Sequence, residues 1–222
     1  MSITFFLIFS FSLQGELIKG FMTHHLHLEI RWEELRKNGF KFGLIRFGAY
    51  YLDKIIYCCF WSSNYNNAKR LGFDFGIMFS NYVFGEAEEK MQALTLLRYI
   101  KNYKFEYPVF LSVDEDLKKY GKTLVSASVR TFCDTLIQNR YLCGFHADAD
   151  FIEEYFEDDL KTNYPILLKF NKNGNQSRYK GKFDIRETSP ETNLNGIDHE
   201  FSYSISEVDF PTYIKENHYN GY

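Results

Sequence analysis

Beyond its first dozen residues the chain has no apolar run approaching the 20 or so residues that cross a bilayer, so no stable membrane span is expected. It also lacks a long basic run, and its net charge is −3. Nucleic-acid binders carry a basic patch or stripe, so a nucleic-acid partner is not expected. Cysteine is scarce: Cys58, Cys59, Cys133 and Cys143 match no zinc spacing. On a helix the adjacent Cys58 and Cys59 would point about 100° apart and could not both face one partner. Free buried thiols are the plain reading, with a Cys133–Cys143 bridge as the alternative in a secreted chain. Proline is as rare, 4 in 222 residues, and no linker or internal repeat divides the sequence. A single domain with a sizeable core fits this length, because the buried fraction rises with size.

Aromatics are abundant instead, with 23 Phe and 17 Tyr. They supply core area and also line sugar-binding clefts, and composition alone leaves both roles open. Residues 3–11, Ile-Thr-Phe-Phe-Leu-Ile-Phe-Ser-Phe, are almost unbroken apolar sequence. The run is too short for a span and suits the core of a signal peptide. Residues 1–15 therefore read as a signal peptide cleaved near Gln14 or Gly15, and 16–222 as the folded domain. A secreted or endomembrane-lumen location follows. The alternative is a first buried strand, since only Met1 and Ser2 stand where a basic segment belongs.

The rest alternates strand and helix patterns. Strands are predicted over 17–22, 42–48, 73–79, 109–113, 142–146, 166–170, 183–188 and 201–205. Helices are predicted over 32–38 (closed by Gly39), 53–71 (ending at Gly72), 85–103, 123–139 and 150–160. In the 85–103 helix, Met91, Leu94, Leu97 and Ile100 stand out as the apolar stripe. Residues 171–178 are a polar loop of turn formers. Alternation argues for a parallel sheet, and about eight strands at this length argue for closure. The fold class is α/β, a single-domain irregular (β/α) TIM-like barrel with few helices in its last third.

The segment Tyr107-Pro108-Val109-Phe110-Leu111-Ser112-Val113-Asp114 reads as a short apolar strand delivering an acid to its C-terminal end, where barrel enzymes keep catalytic groups. It resembles the Leu-Pro-Val-Tyr-Leu strand of glycoside hydrolase family 25, the Chalaropsis-type lysozymes, which leads into Asp-Val-Glu. Other pieces follow in the family's order. Gly20 through Ile30-Arg31-Trp32 resembles the opening, and Leu44-Ile45-Arg46-Phe47-Gly48 the second strand. Asp53, Asn64, Ala68, Lys69 and Gly72 fit the following helix, and Phe75-Gly76-Ile77-Met78 the third strand. Phe132-Cys133-Asp134, Gly144-Phe145-His146-Ala147 and Gly196-Ile197-Asp198 match later motifs. The resemblance implies an irregular barrel and an N-acetylmuramidase activity on peptidoglycan, at the β-1,4 linkage between N-acetylmuramic acid and N-acetylglucosamine. It implies no cofactor and no metal, and a monomer is expected.

The departures fall on the acids. Met22 stands at the first-strand Asp, Ser112-Val113-Asp114 replaces Asp-x-Glu, Arg186-Glu187-Thr188 replaces Trp-Gln-Tyr, and Glu200 replaces an Asn. Glycoside cleavage needs a protonated acid at the leaving oxygen and a second group at the oxocarbenium-like centre. Like-charge repulsion between paired carboxylates, which holds a proton on one of them, is lost with Met22 and Ser112. Asp114 is also one methylene shorter than Glu, a deficit of about 1.5 Å, and about 1 Å can cost on the order of 10²-fold in rate.

Asp114 and Asp198 are the candidate catalytic pair, and Arg46, Tyr82, Ser112, His146 and Glu187 are the candidate substrate-binding residues. Three of them have a plainer role as well. Arg46 could pair inside the barrel with Asp114, Tyr82 could cap its strand, and His146 could be a satisfied structural histidine. Glu115 points off the shared face unless a bulge turns it; otherwise Glu115 and Asp116 form a solvated acidic loop. His24, His25 and His27 lack an evident fourth ligand, so no metal is expected there. Three classes of function remain open: a muramidase-like hydrolase, a glycan-binding pseudoenzyme on the same barrel, and a virion component using the barrel as structure.

Overall fold

The computed structural model describes residues 17–23, 29–51, 54–81, 85–170, 179–188 and 201–222. The proposed leader 1–15, His24, His25, His27, Asp53, Tyr82, the loop 171–178, Asp198 and Glu200 lie outside the described residues.

Among the described residues nine strands form one sheet: β1 (Ile18–Thr23), β2 (Phe42–Tyr51), β3 (Lys54–Tyr57), β4 (Asp74–Asn81), β5 (Val109–Ser112), β6 (Cys143–Ala147), β7 (Ile166–Leu168), β8 (Ile185–Glu187) and β9 (Ser202–Ser206). Their order is β1-β9-β8-β7-β6-β5-β4-β2-β3, and β1 also pairs with β2. Eight strands thus close into a barrel and leave no edge among them, while β3 hangs on β2 as a hairpin. The ring is parallel except at β9, which runs antiparallel to both β8 and β1. Among the described residues seven helices accompany the sheet: α1 (Trp32–Lys37), α2 (Trp61–Arg70), α3 (Glu86–Ile100), α4 (Gly121–Gln138), α5 (Ala149–Tyr155), α6 (Asp158–Asn163) and α7 (Phe210–Glu216), with a 3₁₀ turn over Glu115–Tyr120. This is the irregular TIM-like barrel that the strand–helix alternation predicts.

Period-two alternation sorts the strand residues into two cores. Met22, Phe42, Leu44, Met78, Phe110, Leu167 and Ile185 fill the barrel. Phe21, Ile45, Phe75, Phe79, Leu111 and Phe145 face outward and pack with helical residues such as Trp32, Trp61, Leu96 and Phe132. Inside, Phe42 stacks on Tyr107 at 4.3 Å, and Phe210 of α7 meets the same tyrosine at 5.6 Å. Asn220 fastens the C-terminal segment beneath this end: the Leu142 N–H donates to its Oδ1 at 2.7 Å, and its Nδ2 donates to the Tyr107 carbonyl at 2.9 Å.

The same N-terminal end of the barrel carries a buried charge cluster. Glu106 accepts from Lys69 Nζ at 2.5 Å, from the Phe75 N–H at 3.0 Å and from the Tyr222 hydroxyl. Burial, and then the Glu106 charge, push the neighbouring Asp74 carboxyl up to about 6.

Four expectations need correction. Residues 53–71 are not one helix, because 54–57 form β3 and the helix starts at Trp61. A bulge between Arg46 and Gly48 shifts the register of β2 on β4, and beyond it Ala49 and Tyr50 pair with β4 on one side and with Ile56 and Ile55 on the other. The β-favouring Ile-Ile-Tyr then completes a hairpin. A Cβ on Gly48 would sit 2.5 Å from the Ile56 carbonyl oxygen, so glycine is what lets the two strands approach. In α3 the buried face is Glu89, Gln92, Ala93, Leu96 and Ile100, while Met91 and Leu94 are exposed. Steps of three lag a 3.6-residue turn by about 60°, so Met91 and Ile100 stand on opposite faces. The 150–160 helix is broken at Phe156, which is extended and buried against Phe145 at 4.6 Å. Finally, α7 was not anticipated from sequence. All four cysteines are free: Cys58, Cys133 and Cys143 are buried, and Cys59 is exposed.

Candidate functional site

The C-terminal ends of the parallel strands open on a cleft of ≈ 70 Å³ lined by Arg46, Met78, Ser80, Ser112, Asp114, His146 and Lys169. These side chains converge because the barrel register puts them on its inner face. Arg46 is opposite Met78, Ser80 opposite Ser112, and Ser112 opposite His146. Lys169 follows Leu167 by two residues and shares its face.

Ser112 Oγ lies 3.3 Å from His146 Nδ1. On the other side of the ring, His146 Nε2 lies 3.6 Å from Glu187 Oε2. The His146 and Glu187 side chains are 1% and 2% exposed, whereas Ser112 is half-buried at the cleft wall. Glu187 is fixed in turn by the Phe170 N–H, which donates to Oε2 at 2.6 Å. These contacts run from the cleft into the barrel as Ser112, His146, Glu187.

Asp114 lies two residues past the end of β5, in extended backbone leading into the 3₁₀ turn. Its side chain is 61% exposed, and Lys169 Nζ donates to its Oδ1 at 3.4 Å. Glu115 opens the 3₁₀ turn, is well exposed, and pairs with Lys118 at 3.3 Å. The solvated-loop reading of Glu115 therefore stands. Met22, at the position resembling the first family acid, is wholly buried between Leu44 and Ser202 on the neighbouring strands.

Of the residues singled out from sequence, Arg46, Ser112, Asp114 and His146 come together at the mouth, and Glu187 stands behind His146. Tyr82 and Asp198 lie outside the described residues. Sequence reading missed Ser80, Met78 and Lys169. Lys169 supplies the cation beside Asp114, and the period-two step from Leu167 was the signal that could have found it. Among the described residues no group of three or more His, Cys, Asp or Glu is placed to hold a metal ion. Among them, no helix is long and apolar enough to cross a membrane. A larger hollow of ≈ 540 Å³ lies between α1 and α2. It sits on the outer helical layer, and its Glu33 and Arg70 pair with each other at 3.4 Å, so the mouth remains the candidate site.

No family model and no curated protein matches the chain. Several solved structures do. The chain is similar to the CTP1L endolysin at 16% identity and a TM-score of 0.75, over 90% of this chain and 70% of that one. It is similar to the modular autolysin LytC of Streptococcus pneumoniae, solved with a synthetic peptidoglycan ligand, at 14% identity and a TM-score of 0.70. That match covers 85% of this chain and 46% of LytC. A family 25 glycosyl hydrolase from Bacillus anthracis matches at 17% identity and a TM-score of 0.69, over 91% of this chain and 93% of that one. At these identities the likeness shows the fold: the chain has the lysozyme-like barrel of glycoside hydrolase family 25.

Proposed function

We propose that this protein is a peptidoglycan-directed member of the lysozyme-like barrels that binds the glycan at its mouth and cleaves the β-1,4 linkage weakly or not at all. One observation carries the reading. Among the described residues that line the cleft, the only carboxylate is Asp114, exposed and held by Lys169, while Met22 and Ser112 occupy the positions resembling the other acids. Cleavage by either stereochemical course needs two carboxyl groups, about 5.5 Å apart for retention or about 6.5–9.5 Å for inversion. Met22 belongs to the packed interior, so that position offers neither charge nor a proton.

Glycan binding needs less: polar groups lining a groove. Arg46, Ser80, Ser112, Asp114 and Lys169 supply donors and acceptors for hydroxyl, amide and carboxylate groups of a sugar chain. Support from comparison is the barrel shared with LytC, which was solved with a peptidoglycan ligand. Should hydrolysis occur, this reading assigns it to Asp114 with Asp198 as partner. It also includes residues 1–15 as a cleaved signal peptide, a secreted or luminal location and a monomeric state.

Turbidity clearing of purified bacterial cell walls, using protein that starts at Gly15 beside its Asp114→Asn variant, tests the proposal. The expected outcome is retention of the protein on sedimented walls with little or no clearing. Clearing that vanishes in Asp114→Asn would establish a working muramidase instead. Absence of both clearing and retention would remove peptidoglycan as the target.

A further inference from the structure

We infer that Ser112, His146 and Glu187 form a nucleophile relay that hydrolyses small O-acyl esters at the mouth of the barrel. The alcohol side of the ester, a sugar hydroxyl, rests on the glycan-binding reading above. The relay itself rests on geometry alone.

The three groups stand in the order such chemistry needs: a nucleophile reachable from solvent, a base behind it, and an acid behind the base. Ser112 lines the cleft, His146 is 1% exposed, and Glu187 is 2% exposed. Ser112 and His146 are register partners on adjacent parallel strands, so their side chains rise side by side from a rigid sheet. The 3.3 Å contact lets Oγ–H donate to Nδ1. That tautomer puts the ring proton on Nε2, facing Glu187 Oε2 at 3.6 Å. This second contact is longer than a hydrogen bond in the resting state, and it shortens when the ring takes a proton and becomes a cation. Glu187 is a positioning residue: the Phe170 N–H holds its carboxylate in place, and it acts through the imidazole.

The remaining cleft residues fit the rest of the reaction. Arg46 and Lys169 line the same space and bring positive charge to it, which suits a developing oxyanion. The cleft is small, ≈ 70 Å³, which favours a short acyl group such as acetyl at the reacting carbon.

In the reaction, Ser112 Oγ forms a bond to the ester carbonyl carbon as its proton passes to His146 Nδ1. The tetrahedral oxyanion collapses, the carbon–alkoxide bond breaks, and the proton on Nδ1 goes to the leaving alkoxide. Water then adds to the acyl-serine with His146 as base, the Oγ–carbon bond breaks, and a carboxylic acid leaves. The net reaction is ester plus water to alcohol plus acid, with no other reactant.

The structural alternative is a core histidine whose neighbours merely satisfy it. Hydrolysis of 4-nitrophenyl acetate by the full chain separates the two, read beside Ser112→Ala, Glu187→Gln and 4-nitrophenyl octanoate, with folding checked by circular dichroism. The expected result is acetate-selective turnover that falls by about 10²-fold or more in Ser112→Ala. Glu187→Gln is expected to lower kcat with a changed pH profile and little change in KM. A fluorophosphonate probe should label intact wild-type protein at Ser112, located by peptide mass spectrometry. Equal turnover in wild type and Ser112→Ala, or no labelling of Ser112, overturns the relay. Release of acetate from O-acetylated peptidoglycan supports the sugar-ester assignment. Turnover of the nitrophenyl ester without that release overturns the assignment and leaves the relay standing. Turnover in a protein that fails to sediment with cell walls sinks the glycan-binding reading alone.

Discussion

The two ends of this barrel handle polar groups differently. At the N-terminal end Glu106 accepts from Lys69 at 2.5 Å, from the Phe75 N–H at 3.0 Å and from Tyr222, and Asn220 ties the last turn to Tyr107 and Leu142. At the C-terminal end three contacts are longer, 3.3 Å from Ser112 to His146, 3.6 Å from His146 to Glu187 and 3.4 Å from Lys169 to Asp114, although Glu187 also accepts from the Phe170 N–H at 2.6 Å. Short, multiply bonded and buried groups hold a structure in place. Longer contacts around an open cleft can exchange partners with a ligand. A parallel barrel divides these tasks in general, with stability at the N-terminal face and chemistry at the other. Here the N-terminal end holds the short buried contacts, and the proposed site lies at the other end.

Substitutions that cross the division should show it, and the largest effect lies between the two ends. Met22→Asp puts back the type of residue found at that position in the resembling family. Met22 is fully buried, with Leu44, Met78 and Phe110 in the same core. An unpartnered carboxyl there should cost about 4 kcal/mol or more in urea denaturation. A cost under about 1 kcal/mol would mean that the inner layer still tolerates a catalytic acid. Next comes Glu106→Gln at the N-terminal end. It removes the charge that Lys69 faces, and breaking such a pair from one side costs about 3 kcal/mol. Lys69 Nζ is partly exposed, so high salt should recover part of the loss.

Asp74→Asn is the third test, and its sign depends on pH. The native carboxyl holds its proton up to about 6, against 3.8 for the ordinary group. Between those values the native state binds more protons than the unfolded chain, so stability falls as pH rises. The contribution is complete below about pH 3.8 and is gone above about pH 6. Asn mimics the protonated acid, so the variant should match wild type at pH 4 and exceed it at pH 7. The gain should be about 1 kcal/mol, less than the full shift implies, because solvent reaches the group. Thermal melts at the two pH values measure it, and equal gains at both would detach the effect from ionisation.

Strand identity was legible because short apolar runs ended by Gly or polar turns map directly onto the ring, as 42–48 and 142–146 show. The hairpin strand β3 was not legible. Its pairing depends on a bulge after Arg46 and on room at Gly48, which are properties of two strands together. The stripe on α3 failed for a different reason: a spacing of three imitates helical periodicity over short stretches and drifts over long ones. At the site, Ser112, Asp114 and Arg46 could be placed from the strand ends alone. The pairing of Lys169 with Asp114 and the link from His146 to Glu187 could not, because each joins strands that are not adjacent in the sheet across the inner face of the barrel.

The smallest expected effect is also the sharpest check on the comparison between the ends. Asp114→Asn removes the one carboxylate on the cleft wall among the described residues. Asp114 is 61% exposed, its partner Lys169 is 35% exposed, and they meet at 3.4 Å. Exposed pairs of this kind contribute roughly 0–1 kcal/mol, so urea denaturation should register less than about 0.5 kcal/mol. Retention on cell walls should change more than stability does, because the carboxylate and the Lys169 ammonium both face the cleft. A loss of about 2 kcal/mol or more in Asp114→Asn would show that the mouth is braced as firmly as the opposite end, and the assignment of stability to one end and binding to the other would fail.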